Sequence, residues 1–170
     1  GVVPDMITFA KGVTSGSVPM GGVIVRAPIY DAFMRGPEHM VELFHGYTYS
    51  AHPLACAAGL ATLDLYRDEN LFERAKALEP RFADGVMALK GLPNVLDIRC
   101  VGLTAGIDLA AIPDAVGKRG YRALEHAFHQ EDVMVRSVGD TLALTPPLTI
   151  SEAQLDELFD KVGKVIKAVA

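Results

Sequence analysis

The sequence predicts a mixed α/β chain whose second half is an α+β unit. Three observations predict this. Half the residues are hydrophobic and 22% are charged, a composition able to bury a core. In the second half, helical and alternating patterns follow one another as helix, two strands, helix, two strands, helix. Before that, two short apolar runs and one small-residue helix are too few elements for a sheet of their own. A length of 170 residues gives room for one ordinary domain, or for parts of two.

The elements follow in order. Met6 to Ala10 is a short apolar run after Pro4, read as a buried strand. Thr14 to Pro19 is loop chemistry. Gly21 to Val25 is a second strand of the buried type. Pro28 opens a short helix through Ile29, Phe33 and Met34, which Gly36-Pro37 ends. Leu54 to Tyr66 is a helix rich in small residues (Ala55, Ala57, Ala58, Gly59, Ala61), suited to close packing on a sheet or another helix. Pro53 fits its first position and Ser50 lies near its cap. Asn70 and Glu73 have the spacing of a capping box. The helix they open has an apolar stripe of Leu71, Ala75, Leu78, Phe82, Val86 and Leu89, with a kink expected at Pro80. Val95 to Arg99 and Leu103 to Leu109 read as paired strands around Gly102. Ala115 to Gln130 is a helix. Val133 to Arg136 and Thr141 to Leu144 are strands around the turn signal Gly139-Asp140. Ser151 and Gln154 form a second capping box. It starts the cleanest amphipathic stripe: Leu155, Leu158, Phe159, Val162, Val165, Ile166 and Val169.

Charge and motif content exclude several functions. The formal net charge is −5, and a nucleic-acid partner would ask for a basic face. No basic amphipathic stretch suggests a membrane surface. No apolar run approaches the ~18 residues of a membrane-crossing helix. Gly1 to Asp5 has no signal-peptide character. With no initiator Met, the start reads as a cut within a larger protein. Cys56 and Cys100 make neither a metal spacing nor a disulfide framework, so a reducing, cytoplasmic setting is the default. His39, His45, His52, His126 and His129 are scattered, so no metal site is expected.

Three places carry candidate chemistry. Lys11 follows an apolar strand and precedes Gly12. A lysine held there is either a desolvated nucleophile or a surface residue at a strand exit. His45 to Pro53 places hydroxyl-bearing side chains, Thr48 and Ser50 among them, just before a helix start. Thr48 or Ser50 could contact a phosphate, or the stretch is a cap with aromatic packing. Arg136, at a strand end, suits a carboxylate held by two parallel bonds, or is a surface arginine.

Together these stretches resemble one family. Pro4-Asp5-Met6-Ile7-Thr8-Phe9-Ala10-Lys11-Gly12, then Pro19-Met20-Gly21-Gly22-Val23, is similar to the lysine segment of class III aminotransferases. These enzymes use pyridoxal 5'-phosphate (PLP) on the aspartate-aminotransferase fold. His45 to Ala58 resembles the next family segment. Its Tyr-Ser and His-Pro form resembles the ω-amino-acid (β-alanine):pyruvate branch. Arg136-Ser137-Val138-Gly139-Asp140 and Thr145-Pro146-Pro147 continue the order. The resemblance implies that Lys11 forms the internal aldimine with PLP and then moves the substrate proton. It implies that Thr48, with Tyr47 beside it, reaches the PLP phosphate of the other subunit of a homodimer. Arg136 would hold the substrate carboxylate. The reaction would be ping-pong transfer of an amino group from an ω-amino acid or amine to pyruvate. The family is more than twice as long. The chain is therefore expected to be its C-terminal part, with residues 1–66 ending the large PLP-binding domain and 67–170 forming the small α+β domain. Alone, it is expected to be inactive, because the aspartate that pairs with the pyridine nitrogen is not matched. The alternatives are another class III enzyme (aminomutase or decarboxylase) or a non-catalytic α/β module that binds no PLP.

Overall fold

The apolar run after Pro4 forms strand β1 (Met6–Ala10), and Gly21–Val25 forms β2. They pair antiparallel, from Met6 with Val25 to Ala10 with Gly21. The computed structural model describes residues 1–40 and 43–170, which divide into two units, Gly1–Glu69 and Asn70–Ala170. In the first unit β1 and β2 stand as a two-stranded ribbon. Their apolar side chains are not buried, contrary to the core-strand reading: Met6 is 59% exposed and Ile24 60%. The physical reason is that a two-stranded ribbon cannot cover its own faces.

A short helix α1 (Ala27–Phe33) follows, with Pro28 in its first turn. Helix α2 (Pro53–Asp68) begins at its proline as expected. Its N-cap is His52 without a side-chain cap bond, so Ser50 is not the cap. Ser50 instead gives its backbone N–H to the Tyr47 carbonyl (3.0 Å). The small face of α2 buries Ala55, Gly59 and Thr62. It packs on the 3-10 turn Lys11–Thr14 rather than on a sheet or helix.

The second unit opens with α3 (Leu71–Met87), which runs through Pro80. The capping box expected at its start does not form. Asn70 is left-handed (φ 48°) and makes no cap bond, whereas a capping side chain needs extended backbone. Strands β3 (Val95–Val101) and β4 (Thr104–Leu109) meet around Gly102, whose φ is 55°. Helix α4 (Lys118–Gln130) starts later than its apolar pattern suggests. Ala115 turns back on Ile112, and Gly117 interrupts the helical path with φ 84°. Strands β5 (Arg136–Val138) and β6 (Thr141–Leu144) complete an antiparallel sheet of order β3-β4-β6-β5. Val133 to Val135 lies outside β5, because the Val133 N–H goes to the Ala127 carbonyl at the end of α4 (3.0 Å). Arg136 therefore begins a strand instead of ending one.

Helix α5 (Glu152–Ala168) forms its capping box in full. Gln154 N–H donates to Ser151 Oγ (3.2 Å), and Ser151 N–H donates to Gln154 Oε1 (2.9 Å). We expect Ser151→Ala to cost about 1 kcal/mol in denaturant unfolding. The core lies between α3, α4 and α5 and one sheet face carrying Ile98, Ile107 and Leu142. Arg99, Gly106, Ala143 and Arg136 form a row in register across the opposite face. Among the described residues, no helix is long and apolar enough to cross a membrane.

Candidate functional site

Lys11 stands where β1 ends, as the first residue of the Lys11–Thr14 turn, and is left-handed at φ 55°. That conformation is uncommon for a residue with a Cβ, and the surroundings hold it. Tyr66 of α2 donates its hydroxyl to the Gly12 carbonyl (2.7 Å). Thr14 is buried and its Oγ1 donates to the Val18 carbonyl (2.6 Å). Ser17 Oγ donates to the Thr14 carbonyl (2.7 Å). Gly59 lets α2 approach closely: a Cβ there would lie 3.4 Å from Met20 Sδ and 3.7 Å from the Val13 carbonyl oxygen. The Lys11 amine itself is exposed, with no hydrogen-bond or ion-pair partner among the described residues. A fixed backbone thus presents an unencumbered amine.

Tyr47 and Thr48 line a groove of about 720 Å³ in the same unit. Val18 to Gly21, His45, Ser50, His52 and Cys56 share it, and Lys11 does not. Tyr47 is left-handed (φ 51°), and its N–H points to His45 Nδ1 (3.2 Å). The groove opens at the N-terminal end of α2, where Pro53 brings no N–H and His52 supplies no cap. Hydroxyls beside free helix N–H groups form a donor set suited to a phosphate. The Lys11 amine, outside this groove, suits an aldehyde. The residues of this unit therefore fit PLP by the chemistry of their donors.

Arg136 belongs to the second unit. It is exposed, without a hydrogen-bond or ion-pair partner among the described residues, and borders a second groove of about 720 Å³. No group of three or more His, Cys, Asp or Glu side chains among the described residues is placed to hold a metal. His126 lies 3.9 Å from Glu131, and His129 stacks edge-on against Phe128.

Two aspartates organise the second unit: Asp108, which the sequence reading passed over, and Asp140, which it took only as a turn residue. Asp108 accepts from Arg99 (2.5 and 3.1 Å) and from Thr141 Oγ1 (2.6 Å). Those bonds, Arg99 first, hold its carboxyl below the usual range against partial burial. For Asp140, burial acts upward. The N–H groups of Gly117, Gly120 and Arg119 and the Arg119 charge outweigh it, so this carboxyl also lies low. A depressed carboxyl means that the unfolded chain binds the extra proton first. The stabilisation is fully present above the ordinary aspartate pKa of about 3.9. It is lost as pH falls through the folded-state values. The unfolding midpoint should be flat near neutrality and drop below about pH 4. Asp108→Asn and Asp140→Asn should each flatten that acid limb in thermal scans.

The fold recurs in solved transaminases. An (S)-enantioselective ω-transaminase from Thermomicrobium roseum superposes with a TM-score of 0.89 at 34% identity, over 99% of this chain and 38% of that one. A PMP-bound aminotransferase from Vibrio fluvialis gives 0.90 at 28% identity, over 99% and 38%. The sequence agrees. The aminotransferase class-III pattern matches residues 1–166, and the chain belongs to that family. An ω-aminotransferase of Caulobacter vibrioides is 46% identical over 99% of this chain. A β-alanine–pyruvate aminotransferase of Pseudomonas aeruginosa is 45% identical over the whole of it. The chain spans 38% of the length of each of these two relatives.

Proposed function

We propose that this chain is part of a PLP-dependent aminotransferase that moves an amino group from an ω-amino acid or amine to pyruvate. The observation that carries the reading is the unpaired Lys11 amine on a turn pinned by α2, in a chain matched to class III aminotransferases over residues 1–166. The names of the relatives at 44–46% identity support the substrate class: ω-amino acids and β-alanine as donors, pyruvate as acceptor.

Bound PLP supplies an electron sink for the carbanion left when the substrate carbon loses its proton. Lys11 Nζ would hold PLP and would take and return the substrate proton. Tyr47 and Thr48 hold the phosphate. They serve the other subunit's cofactor in a homodimer, as the family resemblance implies. Arg136 holds the substrate carboxylate as a bidentate guanidinium. In this reading residues 1–66 end the large PLP-binding domain and 67–170 form the small one, and activity requires the remaining large-domain sequence. The two free cysteines, Cys56 and Cys100, favour a cytoplasmic setting.

The test is alanine formation from pyruvate with β-alanine or a primary amine as donor, using the full-length protein. Ping-pong kinetics with either donor supports the proposal. PLP binding without amino transfer, but with release of carbon dioxide or an isomerised amine, would move it to a decarboxylase or aminomutase. No PLP binding at all would leave a non-catalytic module.

A further inference from the structure

We propose that Asp140 is a positioning residue for Arg136: it clamps the β5–β6 turn to the start of α4 and so fixes the arginine that meets the substrate carboxylate. This rests on the reading of Arg136 given above.

Arg136 sits on an insecure element. Strand β5 has three residues, lies at the sheet edge and pairs only with β6. Arg136 is its first residue, and the segment before it makes no ladder. Three cross-strand pairs, Arg136 with Ala143, Ser137 with Leu142 and Val138 with Thr141, are all that set its register. An edge strand this short frays or slips unless something else holds it.

The turn after it is held unusually firmly. Asp140 Oδ2 accepts from the Gly117 N–H (2.6 Å) and Oδ1 from the Gly120 N–H (2.9 Å). One carboxylate thus takes two of the free donors at the start of α4, from 20 or more residues away in sequence. The Asp140 carbonyl accepts from the Leu109 N–H (2.9 Å), tying the same residue to the end of β4. The backbones touch as well. A Cβ on Gly120 would run into the Gly139 carbonyl oxygen and come within 2.9 Å of Asp140 Cα. Gly139 takes the positive φ that the turn needs (59°). The base of Arg136 is therefore fixed through the turn, while its guanidinium has no partner among the described residues. A bidentate carboxylate contact depends on such a fixed base and free head.

The experiment uses the full-length enzyme with two variants, Asp140→Asn, which keeps one acceptor oxygen, and Asp140→Ala, which keeps none. The donors are β-alanine, which has a carboxylate, and a primary amine without one. We expect the KM for β-alanine to rise about tenfold in Asp140→Ala and less in Asp140→Asn, while the half-reaction with the amine, followed without pyruvate, keeps its rate within about twofold. In an Arg136→Ala background, Asp140→Asn should add nothing to the KM for β-alanine, the signature of two residues acting as one unit. Equal losses for both donors, or additive effects in the double variant, would overturn the proposal and leave Asp140 a purely structural cap. If Arg136→Ala raises the KM for β-alanine and neither Asp140 variant does, only the positioning role fails. If Arg136→Ala leaves that KM unchanged, the reading of Arg136 fails, and this proposal with it.

Discussion

Replacing Lys11 with alanine should abolish covalent capture of PLP and lower amino transfer by at least ~100-fold, the scale of losing a positioned acid–base group. The expectation is sharp because Lys11 is the only lysine in residues 1–69. Borohydride reduction, digestion and mass analysis should place the adduct on the peptide that carries Lys11 and nowhere else. The substitution leaves the site's architecture alone. The Lys11–Thr14 turn is held by Tyr66 on Gly12, by Thr14 on Val18 and by the fit of Gly59 under Met20. None of these uses the lysine side chain. Alanine keeps the Cβ, so the left-handed cost at φ 55° is unchanged. Folding and chemistry therefore separate. A variant with native unfolding behaviour and no adduct supports Lys11 as the attachment point. An adduct of undiminished yield would remove Lys11 from the mechanism.

What the sequence made legible was local. β1, β2, β6 and the start of α5 lie where alternation, proline and cap residues put them. Their signals act within a few residues. What it hid depended on partners distant in sequence. Val23 and Ile24 read as core but have nothing over them in the first unit. Asn70 had the spacing of a cap but took a left-handed conformation, which removes the capping geometry. Val133 had a strand composition, yet its N–H was claimed by α4. The candidate site divides in the same way. Lys11, Tyr47 and Thr48 sit in motifs long enough to be seen. Asp140 reads only as a turn residue, since its partners Gly117 and Gly120 are far upstream. Two glycines three apart at a helix start were the available hint, because they mark a place where another backbone comes close.

Replacing Phe82 with alanine should cost about 3–5 kcal/mol of the second unit's stability. Phe82 is fully buried at the middle of α3. Its ring lies 5.7 Å from that of Phe159 on α5, in a tilted aromatic pair. Phe159 in turn packs against Gly85, where a Cβ would collide with its ring. The contact is thus tight on both sides, and a cavity at Phe82 has no neighbour free to move in and fill it. The whole unit has ~5–15 kcal/mol of stability if it is typical, so this one loss removes a large share. Met134→Ala is the control: its side chain is 83% exposed, and a change within about 0.5 kcal/mol is expected. Denaturant unfolding followed by far-UV circular dichroism measures both. A cost below ~1 kcal/mol for Phe82→Ala would show that the α3–α5 seam is not the core. Because Arg136 and Asp140 stand on the sheet that this core supports, the variant should also lose preference for carboxylate-bearing donors before it loses PLP capture at Lys11.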